Sequence, residues 1–436
     1  MSSESTQPSP TSSSAVTADA ADAPDTVTVP GISWQQGSSS QHARWRSERG
    51  SPPPPRVVVA DDTLAANTAY KHACEGTGLL WQGDFNNARH LLQALMRRVD
   101  RPPRRQDTPK SGAPKNGAPQ HESAASADPA AAFYRHRQAQ GQRARVLSML
   151  LIPLQADYGI ALRRAPDLRL ACEQAWGPAD APGRLVEDGM VAHSVTPLRD
   201  LLGIVSAFEW RKKGVPLPAL GAAPDNRIHP HYGVFSPVRG EYVDMVAQAP
   251  LPAAVQGGGA VFDIGTGTGV LAAVLARRGA AQVVATEIDP RALACAQDNL
   301  QRLGLQQQVQ LQRADLYPVG QAALVVCNPP WLPLRPGSPL ERAVYDEGGR
   351  MLQGFLQGLA AHLVPGGEGW LILSDLAERL GLRTRQQLLD AVAAAGLQVL
   401  GRIDTWPTHR KAADASDPLH AARAAEVTSL WRLGAA

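Results

Sequence analysis

Four stretches in the second half of the chain carry side chains that can do chemistry. The first is Val261-Phe262-Asp263-Ile264-Gly265-Thr266-Gly267-Thr268-Gly269. It reads as a buried strand running into a turn with glycine at alternate positions, followed by a helix from Val270. Glycine is needed where φ is positive, or where a ligand must touch backbone with no Cβ in the way. A strand, glycine turn and helix in this order suggest a nucleotide-like ligand against the first strand of a doubly wound sheet. The spacing is G-x-G-x-G, not the G-x-G-x-x-G of dinucleotide folds, and this counts against a nicotinamide-dependent oxidoreductase. Three further stretches follow: Gln282 to Glu287, Val309 to Asp315, and Leu324 to Asn328-Pro329-Pro330-Trp331. Each reads as an apolar strand ending in a polar side chain. Glu287 is suited to accept both hydroxyls of a ribose, and Asp315 an exocyclic adenine amine. All these groups fall at carboxyl ends of strands, where open α/β sheets bind ligands.

In this order the motifs resemble those of class I S-adenosylmethionine-dependent methyltransferases, over residues 232–434. Asn328-Pro329-Pro330-Trp331 resembles the Asn-Pro-Pro-aromatic loop of release-factor glutamine methyltransferases and of N6-adenine or N2-guanine methyltransferases. The resemblance implies an α/β fold, a Rossmann-like seven-stranded sheet with an antiparallel last strand. It implies S-adenosyl-L-methionine as cofactor, held by Asp263, Gly265, Thr266, Gly267, Gly269, Glu287, Asp315 and Asn328. Ahead of the first strand, Tyr232, Phe235 and Pro237 are expected to border the cofactor, where glutamine methyltransferases carry Pro-Arg-Pro-Glu. The catalytic loop is then Asn328, Pro329, Pro330 and Trp331. An amide or base nitrogen is a poor nucleophile because its lone pair is delocalised. The Asn328 side-chain oxygen and the Pro329 carbonyl can hold both of its N–H groups, and proline keeps the loop rigid while donating nothing. Trp331 offers a flat face for a planar target, so Trp331→Phe is expected to keep much of the activity. No metal is required. His229 and His231 lack a third ligand nearby.

The 436 residues suggest two or three domains, and an apolar content of 44% is ample for a core. The net charge of +3 is compatible with nucleic-acid or ribosomal partners. Cys74, Cys172, Cys295 and Cys327 are scattered without metal spacing. They read as reduced, buried thiols of a cytoplasmic protein. No apolar run is long enough to span a membrane, and the N-terminus lacks the pattern of a secretory signal.

Residues 1–57 are low in aliphatics and end in a proline run, which predicts a disordered tail. Residues 58–100 read as a small helical island. Asp84 caps a helix to Val99, and an earlier helix runs through Leu64 and Ala73. Residues 101–130 are Pro/Gly/Ala/Ser-rich, a linker. Residues 131–225 read as a helical domain, with segments 132–154 and 196–211 the clearest. Its place matches the helical substrate-recognition domain of release-factor glutamine methyltransferases. Residues 226–436 form the methyltransferase domain. Its long polar loop from Pro407 to Glu426 carries His409, Arg410, Lys411, His420 and Arg423, a candidate clamp for an anionic substrate.

The expected function is N-methyl transfer to a planar NH2 of a macromolecule, acting as a monomer. Both a protein glutamine (on a translation factor or ribosomal protein) and a nucleobase amine in RNA or DNA fit the loop. The helical domain and the Asp/Gly-rich stretch Tyr345-Asp346-Glu347-Gly348-Gly349 favour the former. The arginine clusters and the indole at 331 favour nucleic acid binding. The alternative is a methyltransferase fold retained as a non-catalytic scaffold, against which the intact Asp263, Glu287, Asp315 and Asn328 argue.

Overall fold

A computed structural model describes residues 30–101, 128–179, 193–337, 339–407, 414 and 417–436. The first half contains β1 (Gly31–Gln36), β2 (Ser39–Trp45), β3 (Arg56–Ala60), α1 (Ala66–Cys74), β4 (Thr77–Trp81), α2 (Phe85–Val99), α3 (Pro129–Leu147), β5 (Leu150–Leu154), α4 (Arg169–Trp176), β6 (Ser194–Pro197) and α5 (Leu198–Lys213). The strands form one six-stranded sheet in the order β1-β2-β6-β5-β4-β3. Its core is built from β4 and β5, whose Leu79, Leu150 and Ile152 are wholly buried, together with Phe85, Leu92 and Leu95 of α2.

This half departs from the sequence reading. The expected tail ends early, because Gly31–Trp45 pairs as an antiparallel hairpin. Ile32 and Trp34 alternate with exposed neighbours and cover Leu80 and Leu151, the two-residue period of a half-buried strand. The island at 58–100 and the helical domain at 131–225 are not separate bodies. β4 pairs with β5 in parallel, so the two regions share one mixed sheet. The run Leu150–Leu154, read as the end of a helix, is a buried strand, and the helix stops at Leu147. Asp84 does cap α2, accepting from the Asn86 N–H at 2.9 Å. Of the expected tail and linker, residues 1–29 and 102–127 lie outside the described residues.

A two-stranded ribbon, β7 (Val215–Pro216) and β8 (Arg227–Ile228), leads into the second half. There follow α6 (Glu241–Gln248), α7 (Ala253–Gln256), β9 (Val261–Ile264), α8 (Val270–Arg277), β10 (Val283–Glu287), α9 (Pro290–Arg302), β11 (Val309–Arg313), β12 (Ala322–Cys327), α10 (Arg350–Leu359), β13 (Leu363–Ser374), α11 (Leu376–Arg379), α12 (Arg385–Ala394), β14 (Leu397–Thr405), α13 (His420–Ala424) and β15 (Thr428–Ala435). The seven strands are ordered β11-β10-β9-β12-β13-β15-β14. They are parallel except β15, which runs antiparallel to both neighbours, as expected. Strands β9 and β12 are buried at every residue, the pattern of a sheet covered on both faces. The strand order reverses at β9, between β10 and β12, and a crevice above such a reversal is where open α/β sheets bind ligands. No helix among the described residues is long and apolar enough to cross a membrane.

α3 joins the two halves. Near its start Phe133 packs with Leu332, Leu380 and Leu419 of the second half, and at its end Leu147 enters the core of the first.

Candidate active site

A cleft of about 1500 Å³ opens at the carboxyl ends of β9, β10 and β12. The glycine turn forms its floor. Gly265, Gly267 and Gly269 have φ of 71°, 56° and 81°, the left-handed region that side chains other than glycine's avoid. At Gly265 the positive φ is the constraint, since the one atom close to an added Cβ is the terminal methyl of the flexible Met351 side chain. Asp263 stands behind the turn, 1% exposed. Its Oδ2 accepts from Thr266 Oγ1 at 2.6 Å and from the Ala272 N–H at 3.0 Å. It thereby fixes both ends of the turn. Burial pushes its pKa up to about 6. The two donors oppose this, and the charge of Glu287 adds to it.

At the tip of β10, Glu287 accepts from three backbone N–H groups: Gly267 at 3.1 Å, Ile288 at 2.9 Å and Asp289 at 3.1 Å. The carboxylate is therefore oriented before any ligand arrives. Asp315 also lines the cleft, but Arg350, the first residue of α10, grips it through both terminal guanidinium nitrogens at 3.0 and 3.3 Å. A ligand amine has to share or displace that contact.

Asn328 and Pro329 follow β12 directly, and all of Asn328-Pro329-Pro330-Trp331 borders the cleft. The Trp331 indole N–H donates to Asn328 Oδ1 at 3.0 Å. Beyond the loop, Asp346 accepts from the Met351 and Leu352 N–H groups at 2.8 and 3.3 Å and so caps α10. Burial raises its pKa.

Of the residues ahead of β9, Phe235 lines the cleft beside Gly233 and Val234. Tyr232 and Pro237 are not part of its wall. Pro237 is buried, and Tyr232 packs on Ala171, Ala175 and Ile204 of the first half. His229 and His231 hold structure: His229 Nδ1 meets the Arg211 carbonyl at 2.6 Å and His231 Nε2 meets Asp298 at 2.8 Å. No metal-ligand cluster occurs among the described residues. His409, Arg410 and Lys411 lie outside the described residues. Arg423 does reach the cleft, paired with Asp417 at 3.2 Å.

The sequence reading missed the contribution of the first half. Ser47 to Gly50 and Phe133 form part of the wall. Glu48 is held there by Asp200, which accepts its backbone N–H at 3.1 Å, and by the Trp176 indole. No local pattern announces a wall residue more than a hundred positions from the glycine turn. Arg335 and Arg342, on the loop after Trp331, are further exposed wall residues.

Residues 225–383 match the family model described as "Methyltransferase small domain". Ribosomal protein L11 methyltransferase of Pelotomaculum thermopropionicum is 37% identical over 151 residues, covering 34% of this chain and 41% of that protein. Release factor glutamine methyltransferase of Cereibacter sphaeroides is 32% identical over 158 residues, covering 33% of this chain and 55% of that protein. The chain thus spans about half the length of these relatives or less. Among solved structures, a methyltransferase from Pyrococcus furiosus aligns with a TM-score of 0.35 at 18% identity, covering 54% of this chain and 99% of that one.

Proposed function

We propose that the chain is an N-methyltransferase, moving a methyl group to a planar NH2 of a macromolecule. Its cofactor is S-adenosyl-L-methionine. The donor set fits that molecule: a backbone turn without Cβ atoms at the tip of β9, a carboxylate pre-oriented at the tip of β10, and a second carboxylate, Asp315, after β11. Glu287 would take the ribose hydroxyls and Asp315 the adenine amine. When bound, the cofactor supplies a methyl group activated by sulfonium.

One observation carries the reading. Asn328 and the Pro329 carbonyl follow β12, the direct neighbour of β9, and share one cleft with Glu287. These two acceptors would hold both N–H groups of the acceptor nitrogen and turn its lone pair toward the reacting methyl. Such alignment counts mainly in the transition state. Phe133, Tyr345, Arg335 and Arg342 line the same cleft around the loop. They offer apolar and cationic contacts for the rest of the acceptor, a protein segment or a nucleic acid. The reading carries with it a monomer working in the cytoplasm.

The test is transfer of radiolabelled methyl from S-adenosyl-L-methionine into an extract of the source cells, followed by nuclease or protease digestion to class the product. Asn328→Ala should lower kcat by orders of magnitude and weaken cofactor binding far less. Label entering at the wild-type rate with Asn328→Ala would exclude the catalytic reading, and no label from the wild type would favour a scaffold.

A further inference from the structure

Position 331 supplies a donor as well as a ring. A carboxamide is nearly symmetric in shape, and a half-turn exchanges its oxygen with its NH2. The two ends are chemically opposite, since only the oxygen can accept from an incoming N–H. The indole nitrogen donates and never accepts. The 3.0 Å bond from Trp331 Nε1 therefore meets Asn328 Oδ1 and disfavours the flipped carboxamide, which would set an NH2 against an N–H.

The anchor is stiff. Pro329 and Pro330 separate the two residues and fix their own φ angles. The indole is half-buried and packs against the core cluster that contains Leu352 and Phe355. The ring cannot readily follow the carboxamide, so the carboxamide is held by the ring. A carboxamide oxygen has two acceptor directions, and the bond to Trp331 uses one. The other stays available.

We propose that Trp331 is a positioning residue, whose indole N–H holds the Asn328 carboxamide with its oxygen available to the acceptor nitrogen. The inference rests on the functional reading above for the role of Asn328. It changes the expectation for substitution. Phenylalanine preserves a flat aromatic face but has no donor, and so is not a conservative replacement here. A face used only for stacking would lose acceptor affinity when removed. A donor that orients Asn328 acts on the transition state, and its loss falls on kcat.

Two experiments on the full chain test this. In the first, the chain is labelled with 15N at its tryptophan indoles, and the Trp331 resonance is identified by its disappearance in Trp331→Phe. Asn328→Ala should move that indole proton upfield, as loss of a hydrogen bond requires. An unmoved resonance overturns the proposal without any acceptor being known. In the second, Trp331 is replaced by benzothienylalanine, in which sulfur takes the place of the N–H at nearly unchanged shape. Labelled methyl transfer into source-cell extract should fall at least tenfold in maximal rate. The extract concentration giving half-maximal rate and the cofactor affinity should stay within about twofold. Trp331→Phe should behave alike. A wild-type rate from the benzothienylalanine chain, with Asn328→Ala inactive, overturns this inference alone. A wild-type rate from Asn328→Ala, or no label from the wild type, overturns the functional reading as well.

Discussion

Raising the pH should cost this chain stability through one carboxyl. Asp263 is 1% exposed, and burial raises its pKa from 3.8 to about 6 against the pull of Thr266 and Ala272. Its folded-state value lies above its unfolded one. Between about pH 4 and pH 6 the native state therefore binds a proton that the unfolded chain has already lost, and stability falls as pH rises through that window. A rise from 3.8 to about 6, at 1.36 kcal/mol per unit, amounts to about 3 kcal/mol. Asp263→Asn removes the titration and keeps the shape, together with one acceptor oxygen, which is all that the Thr266 hydroxyl and the Ala272 N–H share in the wild type. The assay is urea unfolding of both chains from pH 4 to pH 8. The variant's stability relative to wild type should climb by about 2 kcal/mol from pH 4 to neutrality, most of it below pH 7. Subtraction removes the contributions of Asp200 and Asp346, whose carboxyls burial also raises. A difference that stays flat with pH would refute the reasoning, for it would mean that Asp263 is as well solvated or paired in the fold as in the unfolded chain.

Glu287→Ala should weaken S-adenosyl-L-methionine binding at least tenfold by calorimetry, since hydrogen bonds to a charged group contribute about 1.5–3 kcal/mol each. Unchanged affinity would remove the ribose role from the tip of β10. A chain beginning at Ala131 should fail to fold or aggregate. It lacks β1 to β4 and uncovers Leu150, Leu151 and Ile152, all wholly buried; a well-behaved, cofactor-binding product would overturn the account of the first half.

The second half was legible because its signals are local. The buried strand β9, the glycine turn and the acid at the end of β10 each occupy fewer than ten residues. Glycine at positive φ and an acid at a strand tip are physical requirements visible in the letters themselves. The first half was not legible because its strands carry weak or ambiguous signals. β6 is Ser-Val-Thr-Pro, four residues that are all buried, yet three of them are types that composition assigns to loops. β5 is an apolar run directly after a helix, and short apolar runs do not distinguish strand from helix by period. The Trp331 contact was readable in principle, since the two residues are three apart across a rigid proline pair. The face of an indole is its evident feature, and its N–H makes the contact here.

α3 couples the two halves of the chain at the cleft. Its buried residues lie toward its ends, Phe133 near the start and Ala144, Val146 and Leu147 at the finish, with an exposed middle. That is the pattern of a strut between two cores, and a single amphipathic stripe does not describe it. Arg137 strengthens the junction with the loop after Trp331: its guanidinium lies 4.3 Å from the centroid of the Tyr345 ring, bonds the Arg335 carbonyl and pairs with Glu341 at 3.6 Å. The loop that follows Trp331 is thus held from the first half of the chain. A domain that merely delivered a substrate would leave that wall intact when removed. Here its removal takes away Phe133, Arg137 and the Ser47–Gly50 segment together, so the first half is a structural part of the cleft.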